Sequence, residues 1–311
     1  MSVLVVGDTN VDLEIRLPTD THRETHANPD PQMFGGGSAA NTAAALARLG
    51  VGCRFAGAVG DDSFGRFAVE SLFEAGVDTT PVTVAPGEPT VVVVAVVEPD
   101  GDRLIYVWPP SGGAHAALQP SHAVDAVTGS TWLHVSGICL RVQPARDAVL
   151  AAMRHARASG IPVSFDLNLR LENWGWEAGF REVVEAGVEL ADVVLGAASD
   201  EVGALAGIED PVEAAKGLAG DNRLVIARLG SAGAVACSAN EVTTAPGFEV
   251  SVVDTVGAGD AFDAGFIAAR IRGEGVAGAL RWGNAVAGLT VSQLGARSSP
   301  TRGQVEALLD K

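Results

Sequence analysis

The sequence predicts an α/β protein built on a mostly parallel central sheet flanked by helices. Three observations predict it. Strand-length apolar runs alternate with helix-patterned segments along the chain, the arrangement that yields parallel sheets. Several runs, Val3-Leu4-Val5-Val6-Gly7-Asp8 among them, end in small and acidic residues, and open α/β sheets bind ligands at such carboxyl ends. Finally, 47% hydrophobic residues over 311 positions supply the core of a single domain spanning residues 1–311.

Met1 to Gly7 lacks a basic start and a cleavage site, so it reads as a first buried strand rather than a signal peptide. Beyond it, Asn10 and Asp12 are either turn formers or ligand contacts. Thr19 to Pro31, rich in Thr, His, Asp and Pro, is expected to be a loop. Its His22 and His26 are expected to be solvated, because Pro29 and Pro31 interrupt the helix a metal pair would need. Phe34 to Asn41 reads as a flexible glycine loop feeding a helix from Thr42 that Gly50 closes. Val59 to Gly65 is a turn before a helix reaching Ala75. Thr90 to Val97 and Arg103 to Trp108 are strands of a hairpin around residues 98–102. Trp132 to Ile138, Pro162 to Arg170, Ala191 to Leu195 and Leu224 to Leu229 are further strands. His134 is expected in the core or an interface. Phe248 to Val253 also reads as a strand, by its β-branched alternation. Ala261 to Arg272 is a helix with Phe262, Phe266, Ile267 and Ile271 on one face. Ala277 to Leu294 is another, and Gly295 to Ser299 a loop.

A net charge of −17 argues against a nucleic-acid partner, since phosphate backbones demand basic patches. The longest clear apolar run, Val91 to Val97, is far short of the about 18 residues of a membrane span. Cys53, Cys139 and Cys237 form neither a metal-spaced pair nor an even set, which fits a reducing cytoplasm. Only two lysines, Lys216 and Lys311, stand against 19 arginines and 38 acids. Such an acidic surface suits a high-salt cytoplasm, where screening tolerates self-repulsion, although a GC-rich genome equally accounts for the arginine bias. Neither lysine lies in a Gly-Lys-Ser/Thr loop. Phosphate chemistry here would rest on backbone amides, arginine and metal.

Asp254-Thr255-Val256-Gly257-Ala258-Gly259-Asp260-Ala261-Phe262 points to that chemistry. A Gly-Ala-Gly turn entering a helix leaves backbone N–H groups unpaired at the positive end of the helix dipole, which suits an anion. Asp260, a carboxylate at that spot, is able to take a proton from a hydroxyl while the amides hold a phosphoryl group. The plainer reading is a glycine turn with an Asp capping a helix.

The stretch resembles the C-terminal signature of the ribokinase/PfkB family of sugar kinases, Asp-Thr-x-Gly-Ala-Gly-Asp-x-Phe, at every fixed position. Phe34-Gly35-Gly36-Gly37-Ser38-Ala39-Ala40-Asn41 resembles its N-terminal Gly-Gly-x-x-Ala-Asn signature, with Ser38 where ribokinases carry Lys. Gly60 to Gly65 matches a weaker Gly-x-Asp-x-x-Gly segment with a structural role. The resemblance implies a ribokinase-like α/β fold with a small β-sheet lid, its strands inserted at about 11–35 and 90–110. It implies Asp260 as catalytic base and Gly257, Ala258 and Gly259 as anion hole. Asn10, Asp12, Gly36, Gly37 and Asn41 would hold the sugar. Tyr106 and Trp108 would face it from the lid or pack within the lid. Ser-Gly-Ile at 136–138 and Phe-Asp-x-Asn-x-Arg at 165–170 resemble 2-keto-3-deoxygluconate kinases and fructokinases, placing Arg170 on a substrate carboxylate or phosphate. Asn168, Arg228, Gly230, Ser231 and Asn284, with Gly257 and Gly259, would contact ATP. Glu201 would reach Mg2+ through water, with Ala198 replacing the family's usual Asn. Asp254, Gly295 and Ser299 would cradle a monovalent cation such as K+. Partners would be sugar and ATP, with a homodimer formed through the lid. The expected activity is phosphoryl transfer from ATP to a hydroxyl of a small sugar, sugar acid or sugar phosphate. A nucleoside kinase of the same family and a non-catalytic sugar or nucleotide sensor are the alternatives.

Overall fold

The structure is a computed structural model that describes residues 2–17, 31–98, 103–110 and 112–310. His22, His26 and nearly all of the loop expected from Thr19 lie outside those residues.

The first elements are β1 (Ser2–Val6), β2 (Asn10–Arg16), β3 (Gln32–Gly36), α1 (Ser38–Arg48), β4 (Gly52–Ala56), β5 (Ala58–Gly60), α2 (Ser63–Glu74) and β6 (Thr83–Ala85). Next come β7 (Val92–Val97), β8 (Arg103–Trp108), α3 (Pro120–Val127), β9 (Trp132–Ser136), α4 (Ala145–Ala158), β10 (Val163–Asp166), α5 (Leu171–Trp174) and α6 (Ala178–Leu190). The last are β11 (Val193–Ala197), α7 (Ala204–Ala206), α8 (Pro211–Leu218), β12 (Leu224–Arg228), β13 (Ala234–Cys237), β14 (Val242–Ala245), α9 (Ala258–Ile271), α10 (Val276–Val291) and α11 (Arg302–Leu309).

The main sheet runs β14-β13-β12-β11-β10-β9-β1-β4. β4 through β12 pair in parallel, and only β13 and β14 turn antiparallel. Its strands are apolar on both faces because helices cover both. In β1, Leu4 and Val6 enter one core while Val3 and Val5 enter the other. β12 repeats the pattern, with Val225 and Ala227 on the first side and Ile226 on the second. Residues of α3, α4 and α6 line the first core, and residues of α1, α9 and α10 the second. The parallel strands therefore end along one edge, which gathers Asp8, Ser136, Asp166 and Arg228.

A second sheet, β3-β2-β7-β8, is built by the strands expected at 11–35 and 90–110. Asp62 caps α2 by accepting from Gly65 N at 2.7 Å and also accepts from Thr90 N at 2.8 Å. The Gly60–Gly65 turn thus fastens the second sheet to the body. Among the described residues no helix is long and apolar enough to cross a membrane.

Two expectations need correction. Phe34 to Gly36 is not a flexible loop but the end of β3, and the helix after it begins at Ser38, ahead of Thr42. Phe248 to Val253 is not a strand. Pro246 and Gly247 end the sheet at β14, and the segment crosses α10 instead. Phe248 and Val250 lie over Gly288, Val253 N donates to Val291 O at 2.8 Å, and Val252 stays 63% exposed. Its alternation records packing on a helix rather than pairing with a strand. His134 is buried, its Nδ1 2.9 Å from Ser164 Oγ.

Candidate active site

Gly37 precedes α1 with φ +96° and offers no side-chain cap, so the first α1 amides look elsewhere for an acceptor. Asp8, at the end of β1, supplies it: its carboxylate accepts from Ser38 N at 2.9 Å and Ala39 N at 3.3 Å. This fixes the start of α1 against the edge of the main sheet. There α1 presents Ser38 and Asn41 to the start of α9.

α9 begins behind Gly257, whose φ of +78° and 2.8 Å clearance to Ala296 O leave no room for a side chain. Asp260 sits in the first turn. Its Oδ1 accepts from Ser38 Oγ at 2.6 Å and its Oδ2 from Asn41 Nδ2 at 2.9 Å. Ser38 Oγ in turn accepts from Asn168 Nδ2 at 2.5 Å. Burial pushes the Asp260 carboxyl above its ordinary range and Asp8 adds to the rise, while the bonds from Ser38 and Asn41 and the charge of Arg170 oppose it. Ala258 N makes a long 3.3 Å bond to Thr255 O, and the amides of Gly257, Gly259 and Asp260 meet no acceptor among the described residues. An ionisable carboxylate and open helix-start amides therefore stand side by side.

On the side of the second sheet, Asn10 Nδ2 donates to Asp12 Oδ1 at 2.5 Å. Burial pushes the Asp12 carboxyl up to about 6, against the Asn10 bond and the charge of Arg297. Gly36 pairs with Asn10 across β2 and β3. A Cβ there would sit 2.5 Å from Asp12 Oδ2 and 2.6 Å from Asn10 Nδ2, so glycine keeps this corner open. Asn10, Asp12 and Gly36 thus adjoin one another, and Gly37 leads from Gly36 into the helix that carries Asn41 to Asp260. Arg297, which the sequence reading passed over, joins them and donates to Gly36 O at 2.8 Å. Tyr106 is 60% exposed and Trp108 54%, so neither is packed within the second sheet.

The opposite flank differs from expectation. Arg228 does not point into open space: its guanidinium donates to Asp166 Oδ1 at 2.7 Å, Asp263 Oδ1 at 2.8 Å and Gly259 O at 3.2 Å. Its donors serve the protein's own carboxylates and brace the anion-hole turn. Glu201 accepts from Leu169 N at 2.9 Å and Ala197 N at 2.6 Å, so it bridges β11 to the segment after β10. Asn284 donates to Ala245 O and Pro246 O, both at 3.0 Å, and ties α10 to the chain leaving β14. Gly230 and Ser231 form an exposed turn after β12.

Asn168 and Arg170 take left-handed conformations, φ 41° and 49°, around the buried Leu169. Such backbone costs about 1–3 kcal/mol per residue and is kept where surroundings over-determine it, typically at functional sites. Here it leaves Asn168 on Ser38 and Arg170 exposed beside Asp260. Asp254 is 4% exposed and accepts from Gly295 N at 3.1 Å and Val256 N at 3.2 Å. Gly295 O accepts from Ser298 Oγ at 2.6 Å, and Ser299 O from Arg48 Nε at 2.5 Å. Asp254 and this loop thus lie together beneath the start of α9.

Comparison with known proteins places the chain in a family. The pfkB family carbohydrate kinase profile matches residues 1–302. An ATP-dependent ribose-1-phosphate kinase of Halopiger xanaduensis is 36% identical over 311 residues, covering 99% of this chain and 98% of that one. A putative ribokinase II from E. coli in complex with ATP and Mg2+ superposes with a TM-score of 0.85 at 27% identity, covering 99% of both chains. A double mutant of a fructokinase from Vibrio cholerae O395, with fructose, ADP and potassium ion bound, superposes with a TM-score of 0.81 at 29% identity, covering 99% of this chain and 98% of the other. The chain belongs to the pfkB family of carbohydrate kinases.

Proposed function

We propose that the protein transfers the γ-phosphoryl group of ATP to a hydroxyl of a small sugar, with a phosphorylated sugar as the favoured substrate class. The observation that carries the transfer is the Asp260 carboxylate beside the open amides of Gly257 and Gly259. Asp260 takes the proton as the acceptor oxygen bonds to phosphorus and the bond to ADP breaks. The amides meet the charge on the migrating group, and Ala258 shapes the turn between them. Asn10, Asp12, Gly36, Gly37 and Asn41 hold the other hydroxyls. A nucleoside kinase and a non-catalytic sensor lack comparable support.

Mg2+ would neutralise the nucleotide phosphates. Among the described residues no cluster of three His, Cys, Asp or Glu side chains is arranged to hold a metal. That fits an ion held mainly by phosphates and water, with Glu201 at most an outer partner. Asn168, Gly230, Ser231 and Asn284 remain candidates for the nucleotide side. Asp254 with the carbonyls of Gly295 and Ser299 is the proposed seat of K+, supported by a buried carboxylate against a carbonyl-rich loop.

The preference for a phosphorylated sugar rests on Arg170, an exposed cation near the base, and on the ribose-1-phosphate kinase relative. ADP release should be measured with Mg-ATP and a panel of free sugars, sugar acids, sugar phosphates and nucleosides, in KCl and in NaCl at low and high concentration. A sugar phosphate should give the highest kcat/KM, and KCl should exceed matched NaCl. Arg170→Ala should raise KM for that substrate roughly 10- to 100-fold, the loss of a charge-assisted bond. Best turnover of an uncharged sugar, unaffected by Arg170→Ala, rules out the anionic substrate; no stimulation by any compound rules out the kinase.

The lid is proposed to pair with a second copy of this chain. Among the described residues β8 is an edge strand whose Leu104, Ile105, Tyr106, Val107 and Trp108 are all at least 50% exposed, so both faces are apolar and one row of backbone groups meets no partner strand there. Light scattering should give a dimer that Ile105→Lys dissociates; a monomeric wild type at tens of micromolar refutes it. A cytoplasmic location is supported by three buried free cysteines and is checked by cell fractionation.

A further inference from the structure

Arg297 lies in the loop after α10, and its acceptors come from separate parts of the chain. Nε donates to Asn41 Oδ1 at 3.3 Å, Nη1 to Ser71 Oγ at 2.8 Å, and Nη2 to Gly36 O at 2.8 Å and Thr9 Oγ1 at 3.5 Å. None of these acceptors is a carboxylate, although Asp8, Asp12 and Asp260 all lie near enough to stabilise its charge. Burial lowers the guanidinium to about 10, which leaves it protonated at neutral pH. Gly35 makes the approach possible, since a Cβ there would collide with Nη1 and the guanidinium carbon. The cost of withdrawing this cation from water calls for a return.

The return is visible at Asn41. Arginine has donors and no acceptor, so the atom of Asn41 that faces it must be Oδ1. With Oδ1 held, Nδ2 is turned to Asp260 Oδ2, 2.9 Å away. We propose that Arg297 is a positioning residue for the catalytic base: by fixing the Asn41 amide it keeps an N–H on Asp260 and so keeps that carboxylate oriented and ionised. The inference rests on Asp260 being the base.

The charged groups around Asp260 are Asp8 after β1, Asp166 on β10, Arg170 beyond it, Asp263 on its own helix, and Arg297. Three acids and burial favour the proton, so donors to the carboxylate decide how much base is present at a given pH. Removing one raises the proton affinity and moves loss of activity to higher pH.

The test is the pH profile of kcat/KM for the sugar, which reports the free enzyme, in wild type, Arg297→Met, Arg297→Lys and Asp260→Asn. Titration of the substrate itself is common to all and cancels. In Arg297→Met the acid limb should move up by about one pH unit, so that activity at a fixed pH on that limb falls about tenfold. Arg297→Lys keeps the charge but not the fork, and its limb should move the same way by less. An acid limb unmoved in Arg297→Met overturns the proposal. So does a limb moved in Arg297→Met yet unmoved in Arg297→Lys, because charge alone would then account for it. If Arg297→Met does not fold, Arg297→Lys decides by the same criterion. Wild-type turnover in Asp260→Asn would instead condemn the base itself, which separates the two failures.

Discussion

Replacing Arg228 with methionine should destabilise the folded protein by about 3–5 kcal/mol at neutral pH, the usual consequence of taking one partner from a buried ion pair. The side chain of Asp166 is 2% exposed and that of Asp263 is 0% exposed, and both accept from the same guanidinium, itself 15% exposed. Glu201 lies 3.5 Å from it. Methionine would fill the space of the stem and leave the carboxylates without a counter-charge. Burial already raises the pKa values of Asp166 and Asp263 in the folded state, while the charge of Arg228 lowers them. Without the arginine they rise further, so the folded protein binds more protons than the unfolded chain. The penalty therefore grows as pH rises through the folded values and fades towards the unfolded carboxylate range near about 4. Urea midpoints should show Arg228→Met far below wild type at pH 7.5 and closer to it at pH 5. Equal midpoints at both would mean that the cluster contributes nothing. The same cation also holds Gly259 O at 3.2 Å, so integrity of the anion hole and of the core are linked through one residue.

The parts of the molecule legible in the sequence are those where a short segment decides its own conformation. β1 is apolar on both faces and could only be an interior strand. The Gly-Ala-Gly-Asp stretch announces a helix start beside a carboxylate; the helix begins at Ala258 rather than Ala261, which puts Asp260 in its first turn. What stayed hidden depends on partners far away in the chain. Phe248 to Val253 has the alternation of a strand, and only the packing of Phe248 and Val250 over Gly288 explains why no strand forms. Arg228 resembled a nucleotide ligand because nothing local announces that Asp166 and Asp263 converge on it from 62 and 35 residues away. Glu201 looked like a metal contact, yet its carboxylate serves the backbone N–H groups of Leu169 and Ala197.

Arg297 was missed for the same reason. The loop from Gly295 to Ser299 holds one charged side chain, and nothing next to it in sequence marks where that side chain goes. That Ala296 and Ser299 are buried, so that the cation between them needs acceptors close by, shows only in the fold. Ser38 likewise gains meaning only from the fold. It occupies the position where ribokinases carry Lys, and here its hydroxyl donates to Asp260 Oδ1.

Asp260→Asn isolates the base with little other disturbance. Asparagine has nearly the same shape, and its amide is able to keep a bond to Asn41 Nδ2 through oxygen and another to Ser38 Oγ through nitrogen. What it lacks is a lone pair basic enough to take a hydroxyl proton. The open amides of Gly257 and Gly259 are untouched, so residual transfer through the anion hole should persist. The most direct measurement is kcat for Asp260→Asn alongside its Kd for the sugar. The account predicts kcat lower by about 10²–10⁴-fold with Kd within about threefold of wild type. A variant that turns over as fast as wild type would contradict it.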